Sequence, residues 1–369
     1  MNTEELQSKT ISFLRFPLTV GVVFIHFNIS KGLNVHGALY GNDYPMWFSY
    51  IVTFFSDVLP RISVPLFYVI SGFLFFYGRD FNKETYAKKL KSRVKSLLIP
   101  YFIWNLFAIV YFIIRANLIG DSYELNFSFS HIINTFYNNG NNNGLIIQDL
   151  SFDSVMPEPI CGVLWYVRDL MIMVLLSPII YWLIKRIGKW VIIALGLVWI
   201  IDFLILPLSL HYIISALFFF SWGSYYSINK LNFVGSFCKY PFLPLVYFIV
   251  AIIDTITKGG EYNHILHNIG AIIGLISIVI LASKLVEKEK VKVNNTLANS
   301  SFFVFVLHSF ILPVVGKGII SFIHIPDNPY AMLLYYFFIP VFVAFICFAI
   351  YMLLKRITPG FCALISGGR

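Results

Sequence analysis

"TISFLRFPLTVGVVFIHFNI", residues 10–29, is an apolar run interrupted by one arginine and one histidine. About 20 helical residues rise roughly 30 Å, the depth of a bilayer's hydrocarbon core, so this stretch is long enough to cross a membrane. Arg15 and His26 stand eleven residues apart. At about 100° per residue that separation closes to within roughly 20° of three turns, with a rise near 16 Å, so both share one helix face. Snorkelling to the headgroups accounts for Arg15. It accounts poorly for His26, because an ionisable side chain inside a membrane generally faces the bundle interior or a water-filled path.

Similar stretches recur at 60–78, 96–115, 164–184, 189–206, 208–226, 241–257, 265–283, 300–322 and 330–354, about ten in all. The chain of 369 residues is 58% hydrophobic and 12% charged, which excludes an ordinary soluble domain. The expected fold is all-α, a polytopic transmembrane bundle forming one membrane-embedded domain over 1–369. "MWFSYIVTFFSDVLP", 46–60, reads as an interfacial helix leading into the second span. With the N-terminus inside, most of the 27 basic residues, including the bases from Arg79 to Lys95 and Arg369, fall on cytoplasmic loops. Both termini are therefore expected in the cytoplasm. The net charge of +9 then reflects topology and contact with anionic lipid, and no nucleic-acid partner is implied. The acidic start lacks signal-peptide features, so the first span is expected to be retained. The four cysteines are scattered, and neither a disulfide framework nor a metal site is expected. The longest loop, 116–163, is expected outside, with "SFSHIINTFY", 128–137, as a short surface helix.

Other polar residues sit at comparable depth. In "GVLWYVRDLMIMVLLSPIIYWLIK", 162–185, Arg168 and Asp169 lie about 8 Å below the outer start of a span. Arg61 follows Asp57 by four residues, a spacing that permits an ion pair where the backbone is helical, although Pro60 intervenes. Arg61 and Arg168 read as outer interfacial anchors or as members of helix-to-helix salt bridges, and the bidentate fork of arginine also suits a phosphate or a developing oxyanion. His308, in "SSFFVFVLHSFILP", 300–313, falls near mid-bilayer. His264 and His267 in "EYNHILH" are weak evidence for metal and read as interfacial histidines.

These segments carry a resemblance. "RFPLTVGVVFIHF" has the Arg-x10-His pattern of the first span of the acyltransferase-3 family of multipass membrane acyltransferases. "VPLFYVISGFLFF" resembles that family's second-span signature, "LWYVRDLMIMVLLSPIIYWL" its Trp-Tyr-x-Arg-Asp segment, and "SFFVFVLHSFIL" its histidine-bearing segment near the C-terminus. All four come in the family's order, and the resemblance covers essentially the whole chain. One departure is Pro65, where many members carry an aspartate; this resembles the branch whose membrane domain acts without a C-terminal esterase-like domain.

The resemblance implies an O-acyltransferase of the bacterial inner (plasma) membrane. It would move an acyl group, usually acetyl, from cytoplasmic acetyl-CoA to a hydroxyl of a cell-surface or lipid-linked glycan outside, with no metal. In that chemistry His26 is the expected base for the hydroxyl proton, or a nucleophile that forms an acyl-imidazole; the residues leave both routes open. Arg15 would line the path of the CoA arm. Arg61 and Arg168 would stabilise the oxyanion or hold a sugar-phosphate. Trp165, Tyr166, Asp169 and His308 are expected on the substrate side. The competing class is an exporter or flippase of a lipid-linked saccharide, although the intramembrane acids that a proton-coupled carrier uses are few.

Overall fold

The computed structural model describes every residue except 1, 36–37, 41–42, 79, 120–122, 141–142, 149–156, 324–325 and 369. Arg79, Arg369 and the centre of the long loop, named above, lie outside the described residues.

Helix α1 (Thr3–Ile25) opens where the Asn2 side chain accepts a hydrogen bond from the Glu5 amide at 2.7 Å, and it carries Glu4 and Glu5 in its first turn. Both features favour a helix N-terminus. Pro17 lies inside the helix without ending it. Strands β1 (Leu33–Val35) and β2 (Ala38–Tyr40) form an antiparallel hairpin. Helix α2 (Met46–Thr53) continues through a π-helical turn (Phe54–Val58) and a 3-10 turn (Leu59–Ile62) into α3 (Ser63–Phe76). The expected interfacial helix and the second span are thus one helical segment, Met46–Phe76. Pro60 explains the irregular turn: it lacks an N–H, and its ring crowds the carbonyl four residues back.

Asn82 and Thr85 form a capping box that starts α4 (Lys83–Arg93), which passes through a π-turn into α5 (Ile99–Ile119). The long loop contributes β3 (Tyr123–Leu125), the expected short helix as α6 (Phe129–Tyr137), and β4 (Ile146–Gln148), which pairs with β3. Then come α7 (Trp165–Ile187), α8 (Lys189–Ile200), α9 (Asp202–Ile205), α10 (Leu208–Ile228), α11 (Phe233–Phe237), α12 (Leu243–Ile256), α13 (Asn263–Glu287), α14 (Asn295–Ile323), α15 (Pro329–Ile357) and α16 (Pro359–Ile365).

The fold is all-α and polytopic. Each expected span falls on a helix, and among the described residues seven helical segments are long and apolar enough to cross a membrane. The other three expected spans fall on α8, α10 and α12, of which α8 and α12 are shorter apolar helices. Leu106, Val110 and Ile114 on α5, and Leu334, Phe338, Val341 and Phe345 on α15, stand exposed at helical spacing. Such uncovered apolar stripes suit hydrocarbon rather than water.

The chain divides into two compact units, Met1–Leu74 with Phe219–Leu353, and Phe75–Phe218 with Leu354–Arg369. In the first, α1 packs on α13 and α14, and α12 pairs with α13 as a hairpin. Two glycines let α3 and α10 cross at backbone contact: a Cβ at Gly72 would stand 2.0 Å from the Phe220 carbonyl oxygen, and one at Gly223 would stand 1.9 Å from that of Val69. Small residues at helix crossings are the usual means of close packing where lipid supplies no hydrophobic drive. In the second unit, Trp104 on α5 donates to the Ile365 carbonyl of α16 at 3.0 Å, and the buried Asn105 side chain accepts from the Cys161 amide at 3.1 Å.

Candidate active site

His26 caps the C-terminal end of α1, just past the last helical turn. Its side chain keeps an accessible surface, whereas His308 on α14 is fully enclosed. Their ring centroids are 5.3 Å apart at 45°. The His308 Nδ1–H donates to the Val304 carbonyl at 3.2 Å, which fixes its other nitrogen as a lone-pair acceptor in the neutral ring. That Nε2 is buried and has no hydrogen-bond partner among the described residues. A buried polar atom left unsatisfied costs about 1–3 kcal/mol, so its retention beside an accessible imidazole points to use.

The polypeptide brings Arg61 to the same place. Gly21 lets α1 approach the proline turn closely, since a Cβ there would lie 2.9 Å from Ser63 Oγ and 3.3 Å from Pro60 Cβ. The turn then presents Arg61, which is paired with Asp57 at 3.0 Å as the spacing predicts and lies within electrostatic reach of His26. The Asn28 amide donates to the other Asp57 oxygen. Ser56 donates to the Phe24 carbonyl at 2.9 Å and shares a 2.7 Å hydrogen bond with Tyr336, fastening the end of α1 to the π-turn. Phe24 and Phe27 pack on Tyr336 beside it. Arg15 sits half-buried on α1, eleven residues before His26, and the helix is continuous between them up to Ile25.

In the second unit, Arg168 is buried, and its Nε and Nη1 serve three acceptors. Its Nε donates to Asp169 Oδ1 at 2.8 Å, and its Nη1 donates to the carbonyls of Tyr137 at 2.6 Å and Pro157 at 2.7 Å. Its guanidinium also lies 4.9 Å from the centre of the Tyr137 ring. The arginine therefore ties the end of α6 and the close of the long loop to α7. Trp165 stacks on Tyr212, with ring centroids 3.9 Å apart, and the Tyr212 hydroxyl donates to Glu158 at 3.3 Å. Tyr166 is buried. Burial holds the Glu158 carboxyl above its ordinary range, against the pull of Tyr212 and Arg168.

Sequence reading missed one group. Asp254, at the end of α12, accepts from the His267 Nδ1–H on α13 at 2.7 Å and from the Asn263 amide at 2.8 Å. Its signal was an acid near the end of one apolar helix, a short Gly-Gly turn and a histidine early on the next helix. Among the described residues no cluster of three or more His, Cys, Asp or Glu side chains is arranged to hold a metal ion.

A family profile described as an acyltransferase domain, of the acyltransferase-3 kind, matches residues 9–352. The chain is also 30% identical over 230 residues to the succinoglycan biosynthesis protein ExoH of Rhizobium meliloti (strain 1021), a match that covers 61% of this chain and 55% of that protein. The chain thus spans about half the length of the curated relative it matches. No solved structure matches it. The four segments that resemble the family lie within the matched range, as do His26, Arg61, Arg168 and His308, and this chain belongs to the acyltransferase-3 family of membrane acyltransferases.

Proposed function

We propose that this protein transfers an acyl group, acetyl in the simplest case, from acyl-CoA on the cytoplasmic side of the bacterial plasma membrane to a hydroxyl of a cell-surface or lipid-linked glycan. The observation that carries the reading is the accessible imidazole of His26 beside the enclosed, acceptor-only Nε2 of His308. Acyl transfer to an alcohol needs a group that takes a proton or an acyl group near neutral pH, and a neutral imidazole does either. The glycan class is suggested by the relative's part in succinoglycan biosynthesis. Acyl-CoA as donor, and the topology with both termini inside, follow from the family resemblance and the loop charges.

In this reading Arg15, on the same helix toward the cytoplasmic end, meets the CoA arm. Arg61 is the cation nearest in role to an oxyanion contact, being accessible and joined through Asp57 to Asn28, two residues beyond His26. For Arg168 the geometry favours positioning: its Nε and Nη1 hold its neighbour Asp169 and the loop. Trp165 and Tyr212 offer an aromatic platform that suits a sugar ring.

The test is turnover of radiolabelled acetyl-CoA by protein in nanodiscs, with saccharide extracted from the producing cells. His26→Ala is expected to lower thioester consumption by about 100-fold or more. Undiminished consumption in that variant would remove His26 from the chemistry. No consumption by the native protein would turn the reading toward an exporter of lipid-linked saccharide.

A further inference from the structure

The helix ends around His26 belong to a longer polar row within the first unit. Helix α13 packs against α1 and against the Leu59–Ile62 turn, and α12 packs against the π-turn that carries Asp57. Gly274 of α13 meets Ile62 of that turn, and α11 joins the start of α1 to the end of α13, through Phe233 N–H to Gln7 Oε1 at 2.9 Å and Cys238 Sγ to Ser283 Oγ at 3.1 Å; the two helices therefore run antiparallel, and the α12–α13 turn lies at the His26 end of α1, beside the turn that carries Arg61. At this end stands the Asp254–His267 pair. Asp254 is 2% exposed and cannot donate when ionised, so the hydrogen of their 2.7 Å bond belongs to His267 Nδ1. Lys258 Nζ, 3.2 Å from that same nitrogen, then has no lone pair to address there and is directed to Asp254 Oδ1 at 3.6 Å. Asn263 donates to Asp254 Oδ1 at 2.8 Å and to its backbone carbonyl at 3.1 Å, which fixes the carboxylate plane. The consequence is a part-exposed imidazole of set tautomer and orientation, with its hydrogen on Nδ1 and a lone pair on Nε2. A carboxylate that orients a histidine so that its far nitrogen faces outward is the arrangement of a general base.

We propose that His267, positioned by Asp254, is the base that takes the proton of the acceptor hydroxyl, while His26 carries the acyl group. This rests on the acyltransferase reading above and selects one of its two routes. In the first half-reaction a His26 nitrogen attacks the thioester carbonyl carbon. A C–N bond forms, the C–S bond breaks, and the thiolate takes up the proton that the acylated imidazole gives up. In the second, the acceptor oxygen passes its proton to His267 Nε2 and attacks the acyl carbon; a C–O bond forms and the C–N bond breaks. His26 recovers a proton from water, and His267 returns one to water. A second base serves this step because the one lone pair left on an acylated His26 is weakly basic and lies on the side of the ring away from the acyl carbon. Asp254 is a positioning residue, acting through the tautomer of His267.

The experiment follows label from [14C]acetyl-CoA onto the protein and onto saccharide extracted from the producing cells, using full-length protein in nanodiscs. His267→Gln and Asp254→Asn are expected to lower saccharide labelling relative to thioester cleavage by about 100-fold, and to accumulate hydroxylamine-labile label on the protein. Glu261→Gln, at an exposed acid of the same turn that is no part of the pair, is expected to keep that ratio within about twofold. A His267→Gln protein that labels saccharide at the native ratio would overturn the proposal. So would loss of thioester cleavage and saccharide labelling together in a variant that still elutes as the native protein, and so would an equal change in ratio for Glu261→Gln. Native protein that consumes no acetyl-CoA would instead defeat the acyltransferase reading beneath it.

Discussion

Replacing Arg168 by Met separates a positioning arginine from one that touches substrate. The substitution keeps much of the apolar stem but deletes hydrogen bonds of 2.8, 2.6 and 2.7 Å to Asp169, Tyr137 and Pro157. It leaves Asp169, 1% exposed and with one oxygen already unpartnered, as an uncompensated buried carboxylate. Breaking one member of a buried pair costs about 3–5 kcal/mol. The same arginine anchors the loop end next to Cys161, which is itself 2% exposed. Thermal unfolding followed with a thiol-reactive dye is therefore expected to fall by on the order of 10 °C, with early reaction of Cys161. Adding Asp169→Asn should restore about 1–3 kcal/mol, because the stranded group is then neutral. An Arg168→Met protein that unfolds at the native temperature yet loses acyl transfer by more than about 100-fold would refute the loop-anchor reasoning and place the guanidinium on the reacting group.

Three further outcomes are expected. His308→Leu removes a buried nitrogen without a partner, so apparent Tm should hold or rise while thioester turnover falls; a large drop in Tm with turnover intact would make His308 structural. Gly223→Ala places a methyl 1.9 Å from the Val69 carbonyl oxygen and should cost about 3 kcal/mol or more, whereas Gly318→Ala, with nothing within 4 Å, should be nearly neutral in the same thermal assay. Burial raises the Glu158 carboxyl, so the folded state holds that proton more tightly than the unfolded chain does. Its contribution is present below the ordinary glutamate range and is lost as pH rises through the raised value, and Glu158→Gln should flatten that slope in a Tm against pH series.

The apolar runs and their polar breaks determined the helices by themselves. Lipid accepts a backbone only when its hydrogen bonds are satisfied locally, so composition alone dictates helix, and each expected span falls on one. The Asp57–Arg61 pair was legible for the same reason, since partners four residues apart meet through local geometry. Arg168 was legible as a buried cation but not as a loop anchor, because its acceptors are carbonyls at positions 137 and 157 that carry no residue-specific signal. The meeting of His26 with His308, and of Asp254 with His267, depends on which helix ends lie side by side. That neighbourhood is set by the packing of α1 on α14 and by the α12–α13 turn, and side-chain packing across helices, not sequence spacing, decides it.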